Sequence, residues 1–124
     1  MILGLGTDIV EIGRISALLE RHGSHFTERV YTADETAQAN GRINYLAGRW
    51  AAKEAAAKAL GCGIGEKCAL TDIEIIDGAD GAPRLSCIAP ALEGMGNRNV
   101  RWHVSISHES AYAVATVILE GGAE

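Results

Sequence analysis

The chain has 124 residues, 48% of them hydrophobic, which fits one domain over 1–124 and excludes a disordered polymer. A formal net charge of −5 argues against general nucleic-acid binding, which needs a basic field. No basic start leads into a long apolar run, and no apolar segment nears the roughly 20 residues that span a bilayer, so a cytoplasmic protein without membrane association is expected.

In chain order, "ILGLGTDIV" reads as a strand, with Leu3, Leu5 and Ile9 on one face and Ile2, Gly4, Gly6 and Asp8 on the other. Residues 12–22 carry a helical stripe of Ile12, Ile15, Leu18 and Leu19. "FTERVYTADETAQA" is a second helical region, broken near Thr32, where a threonine cap with Glu35 three residues later starts a new helix. Residues 43–60 form the longest helix, closed by Gly61. "TDIEIIDGADGAPRLSCI" has the pattern of a strand, an Asp/Gly turn and a strand. "PALEGMG" is a short helix opened by Pro90, and "VRWHVSIS" and "AYAVATVIL" are two strands around a tight "HES" connection. Helices crowd the first half and paired strands the second. The fold class expected is α+β, an antiparallel sheet packed on a long helix.

Two glycine-rich stretches fail as nucleotide motifs. "GLGTDI" has Ile9 where a dinucleotide fingerprint needs its third glycine, and "GCGIGEK" follows a helix and lacks the GK[ST] ending. Cys62, Cys68 and Cys87 form no C-x-x-C pair, so reduced thiols are expected.

"RWAAKEAAAKALG" is the segment that carries chemistry. Glu54 and Lys58 are spaced i,i+4 and share a helix face; Arg49 and Lys53 sit on the next stripe. One carboxylate among several cations suits a metal with phosphates, although an ordinary surface ion pair has the same spacing. Asp8 shares its strand face with two glycines, whose missing side chains leave room for a ligand. In "HVSISH", His103, Ser105 and Ser107 point one way and Trp102, Val104 and Ile106 the other, with His108 at the turn. Two carboxylates, a lysine, imidazoles and hydroxyls together fit magnesium and a diphosphate-containing ligand.

The stretches "GLGTDIVEIGRI", "FTERVYTADE", "RWAAKEAAAKALGCGIG", "DIEIIDGADGAPRL" and "HVSISHESAYAVATVILE" resemble, in order and over nearly the whole chain, the small single-domain 4′-phosphopantetheinyl transferases of the holo-acyl-carrier-protein synthase class. The resemblance implies that the phosphopantetheine arm of coenzyme A moves to a serine of apo-acyl carrier protein, leaving adenosine 3′,5′-bisphosphate. It implies Asp8 and Glu54 as magnesium ligands and Lys58 beside the developing charge. His103, Ser107 and His108 match positions around the nucleotide phosphates, with Arg49 a further candidate. Gly63, Ile64 and Pro83 are candidate walls for the adenosine.

Arg14 and Arg21, seven apart on the first helix, are expected to dock the acidic carrier, although Glu11, Glu20 and His22 dilute that basic face. Glu109 stands where the family more often has a small or hydroxyl residue. The resemblance also implies a homotrimer with sites between subunits, and the two-sided apolar character of "AYAVATVIL" fits a covered strand. Two alternatives use the same site: a magnesium-dependent nucleotide diphosphate hydrolase and a non-catalytic coenzyme A binding module.

Overall fold

The structure is a computed structural model, and it describes residues 1–95 and 99–122. β1 (Ile2–Glu11) leads into three short helices, α1 (Ile12–His22), α2 (Ser24–Val30) and α3 (Ala33–Ala39), then the long α4 (Ile43–Leu60). A 3-10 turn (Leu70–Asp72) precedes the hairpin β2 (Ile73–Asp77) and β3 (Pro83–Cys87). α5 (Pro90–Glu93) and the final pair β4 (Val100–His108) and β5 (Tyr112–Gly121) complete the order. Gly96, the end of the expected "PALEGMG" helix, lies outside the described residues.

The fold is α+β with antiparallel pairing throughout the named strands. One sheet has the order β1-β5-β4 and the other is the β2-β3 hairpin. The period-two pattern of the sequence decides which sheet face meets α4. On β5, Ala113, Ala115, Val117 and Leu119 are buried, while Tyr112, Val114 and Thr116 between them are exposed. Trp102, Val104 and Ile106 of β4 pack against the core, and His103, Ser105 and Ser107 face outward, as the alternation predicts.

The middle of α4 is mostly alanine because the helix lies almost on the sheet backbone. A Cβ placed on Gly6 would lie 1.8 Å from the Ala55 carbonyl oxygen, and one on Gly4 would lie 1.8 Å from that of Ala59. Towards the other end, a Cβ on Gly48 would come within 2.8 Å of Ile106. α4 therefore crosses the sheet, its first half over β4 and its second half over β1. This corrects one expectation: the open space beside Gly4 and Gly6 is filled by the backbone of α4 and is not available to a ligand.

α3 begins as the threonine cap predicts. Thr32 accepts from the Glu35 amide, and the Glu35 carboxylate accepts from the Thr32 amide at 2.9 Å. The same carboxylate reaches into the core, where it meets the Lys53 ammonium at 2.7 Å, both side chains fully buried. Lys53 is thus a core residue, and its reading as one of the site's cations is corrected. Burial pushes its ammonium below the usual lysine range, and the Glu35 charge opposes that shift.

The three thiols are free. Cys68 is buried, and burial first, then neighbouring Cys87, pushes its thiol up to about 12. Among the described residues, no helix is long and apolar enough to cross a membrane.

Candidate active site

The predicted residues gather in two places. The first lies where the second half of α4 meets β1. Asp8 projects from the helix-facing side of β1, two residues beyond the Gly6 contact, and Lys58 reaches it from one helix turn past Glu54. The Lys58 ammonium donates to Asp8 Oδ1 at 3.2 Å and to the Thr7 carbonyl at 2.9 Å. Lys58 is half exposed, so this pair by itself adds little stability.

Glu54, one helix turn before Lys58, is half-buried and feels the charges of both. Burial raises its carboxyl above the usual glutamate range, Asp8 raises it further, and Lys58 and Arg14 pull it back. Glu54 and Asp8, two carboxylates on rigid elements, form a donor set suited to a hard divalent cation. Among the described residues, no cluster of three or more His, Cys, Asp or Glu side chains is positioned to bind a metal. A ligand's oxygens and water would fill the remaining positions, as magnesium prefers.

Next to this cluster, Arg14 stacks over Trp50 at 5.4 Å, and Trp50 stacks on Phe26 at 6.1 Å. Together with Leu18, Ile64 and Leu70 they line a cleft of about 570 Å³ rimmed by His22, His25 and Arg29. Ile64 is thus a wall of this cleft, beside Trp50. Gly63, its neighbour, has φ of 66° and donates its amide to the Ala57 carbonyl, so it serves the turn that ends α4. Arg14 and Arg21 line one shallow hollow on α1 with Ala17, Leu18 and Glu20.

The second place is a cleft of about 670 Å³ between the first half of α4, the β2–β3 hairpin and the edge of β4. Arg49, Pro83 and His108 line it, joined by Ser105. Arg49 is already engaged: it donates to Asp77 at 2.6 Å and to the Tyr45 hydroxyl at 2.7 Å. Its guanidinium also lies 3.7 Å from the centre of the Tyr45 ring. Arg42 stacks on the same ring at 4.6 Å. Arg42 and Tyr45 were missed from the sequence, although 42, 45 and 49 are three and four apart and share a helix face.

Asp8, Glu54 and Lys58 do not line this cleft. Asp8 and His108 are on opposite edge strands with β5 between them, roughly 12 Å apart, two strand spacings across and two residues along. His103 and Ser107 belong to neither place. They stand on the outer sheet face, where the His103 ring contacts Glu120 Oε1 at 2.9 Å. Glu109 is tied into the β4–β5 turn, where its carboxylate accepts from the Ala111 and Tyr112 amides at 2.7 and 2.9 Å.

The chain is similar to known proteins over nearly its whole length. The family profile described as the 4′-phosphopantetheinyl transferase superfamily matches residues 4–117. The chain is 46% identical over 125 aligned positions to the holo-[acyl-carrier-protein] synthase of Oceanobacillus iheyensis, covering 97% of this chain and 98% of that one. Its fold superposes on the Helicobacter pylori holo-[acyl-carrier-protein] synthase, solved in complex with coenzyme A. The TM-score there is 0.85 and the identity 32%, over 94% of this chain and 99% of that one. The Neisseria meningitidis synthase gives a TM-score of 0.84 at 39% identity, over 97% and 99%. Profile, sequence and fold agree over the segments that carry Asp8, Glu54 and Lys58, and the chain belongs to the 4′-phosphopantetheinyl transferase superfamily.

Proposed function

We propose that this protein transfers the 4′-phosphopantetheine arm of coenzyme A to a serine hydroxyl of apo-acyl carrier protein, giving holo-acyl carrier protein and adenosine 3′,5′-bisphosphate. The carrying observation is near full-length similarity to holo-[acyl-carrier-protein] synthases, one of them solved with coenzyme A, with the Asp8–Glu54–Lys58 cluster on rigid elements at the centre. The reading takes the chain as one domain over 1–124, acting in the cytoplasm to supply fatty acid synthesis.

In the transfer, the serine oxygen bonds to the phosphorus bearing the pantetheine arm. The bond from that phosphorus to the bridging oxygen breaks, the oxygen leaves with the adenosine bisphosphate, and the serine proton passes to solvent. Asp8 and Glu54 would hold magnesium, which supplies charge neutralisation across the diphosphate when bound. Lys58, half exposed beside Asp8, brings an ammonium to the leaving phosphate. Arg49, held by Asp77 and Tyr45, presents a fixed positive edge to the second cleft, where Pro83 and His108 supply a wall and an imidazole for the nucleotide. Arg14 and Arg21 dock the acidic carrier, and the apolar cleft floored by Trp50 lies beside them.

Because the two places are separate in one chain, the reading includes a homotrimer in which the cleft of one subunit faces the carboxylates of the next. His103, Ser107 and the exposed apolar side chains of the outer sheet face then lie at or near the interface.

The test is to incubate the protein with apo-carrier, coenzyme A and magnesium and to weigh the carrier. Gain of one phosphopantetheine arm supports transfer. Cleavage of coenzyme A with an unmodified carrier identifies a hydrolase, and binding without either reaction identifies a coenzyme A binding module.

A further inference from the structure

The Lys53–Glu35 pair lies beneath the site and has no part in the chemistry above. Lys53 is the residue before Glu54. Its ammonium, fully buried, binds Glu35 at 2.7 Å, the Leu70 carbonyl at 2.9 Å and the Ile73 carbonyl. Glu35 is equally committed: one oxygen accepts from the Thr32 amide at 2.9 Å and the other from the Ile75 amide at 2.8 Å. One ion pair therefore joins α3, α4, the 3-10 turn and β2. On the opposite side, Gly4 and Gly6 hold α4 against β1 at backbone contact.

We infer that Lys53 and Glu35 are positioning residues that fix the rotation of α4 about its own axis, and with it the placement of Glu54 against Asp8. This rests on the transferase reading of the site.

The argument is one of lever arms. A helix with side chains is ~10–12 Å across, so a carboxylate on α4 rides roughly 6 Å from the axis, and a roll of ~10° moves it about 1 Å. A displacement of about 1 Å at a reacting centre is enough to cost on the order of a hundredfold in rate. Alanine contacts resist such a roll weakly, because they are small and non-directional. Three hydrogen bonds from one ammonium resist it strongly. A buried ion pair is poor evidence for stability, since a neutral packed pair does as well, but it is suited to specifying register.

The test uses Lys53→Met and the double variant Lys53→Gln with Glu35→Gln, which removes both charges and keeps hydrogen-bonding groups. A core variant away from both clefts, Leu119→Ala, chosen for a comparable loss of melting temperature, is the control. The double variant is expected to stay folded and to lose about 30- to 100-fold in kcat, with carrier KM changed less than about twofold. Manganese binding in the presence of coenzyme A, followed by the spin-resonance signal of the free ion, is expected to weaken about tenfold. Wild-type kcat and manganese affinity in the folded double variant overturn the inference. So does an equal kcat loss in Leu119→Ala, or failure of both pair variants to fold in the cold, which would make the pair a stability element only. If the wild type transfers nothing to the carrier, the transferase reading fails while manganese affinity still decides the positioning role.

Discussion

Glu54 shares its end of α4 with Asp8, Lys58 and Arg14, and burial raises its carboxyl above the usual glutamate range. A carboxyl raised on folding binds protons more readily in the folded chain than in the unfolded one. Its contribution to stability is therefore present below the ordinary glutamate value of about 4.3 and is lost as pH rises through the folded value. At about pH 7 in chelator, Glu54→Gln should raise the melting temperature by about 1–3 °C while cutting transfer more than about a hundredfold. Magnesium should stabilise the wild type and not the variant. Scanning calorimetry with and without metal, beside a turnover assay, checks both. A variant with near-normal turnover would show that Glu54 is not an essential ligand. Asp8→Asn should lose activity similarly. Glu54 and Lys58 were legible in the sequence because their relation is local, four residues on one helix. The roles of Arg49 and Lys53 were not, because their partners, Asp77 and Glu35, come from other elements, and helix spacing reveals a cation without revealing what neutralises it.

At the scale of elements, the β1–α4 contact and α1 make separate predictions. Gly6→Ala would drive a Cβ into the Ala55 carbonyl and should cost about 3 kcal/mol or more, visible as an early urea midpoint. Gly13→Ala, with nothing within 4 Å and an exposed position in α1, should instead stabilise by about 0.5–1 kcal/mol. On the same helix, Arg21→Glu should raise carrier KM several-fold, more so at low salt, and leave coenzyme A KM unchanged, because exposed charges are screened over roughly 8–10 Å at ordinary ionic strength. Arg14→Glu should in addition alter kcat, since Arg14 contacts Trp50 and its charge is felt at Glu54. Equal effects of Arg21→Glu on both substrates would remove the docking role. The order of elements was readable from period and caps: Thr32 with Glu35, Gly61 after α4, and the alternation of β4 and β5. The meaning of Gly4 and Gly6 was not, since a missing side chain looks the same whether a ligand or another backbone fills the space.

For the whole molecule, the outer sheet face decides the question of assembly. Leu5 and Ile9 are each 63% exposed; Ile9 stands opposite Val114 on β5 and Leu5 opposite Ile118, with the polar row of β4 on the far side of β5. On the proposed trimer of 13.0 kDa chains, Ile9→Glu with Val114→Glu should give monomers and abolish transfer, as native mass spectrometry and the carrier assay would show, and a wild type that runs as a monomer overturns the proposal. Co-refolding inactive Glu54→Gln chains with His103→Ala chains should restore part of the activity. Mixed trimers no more active than the average of the two parents would reject a site shared between subunits. The apolar strand was visible in the sequence, but its outward face could be assigned only once β1 and β4 were seen to flank it.

The alanines of α4 have one more consequence. Ala51, Ala52, Ala55 and Ala56 have no exposed surface, and the carbonyls of Ala55 and Ala59 are where a side chain on β1 would have to go. In a saturation library screened for folding alone, these positions should tolerate little beyond glycine and serine, even in chains stripped of Glu54 and Lys58. The letters around the two reactive residues record a distance between a helix and a strand. Sequence drift there is confined by geometry before any selection for catalysis acts.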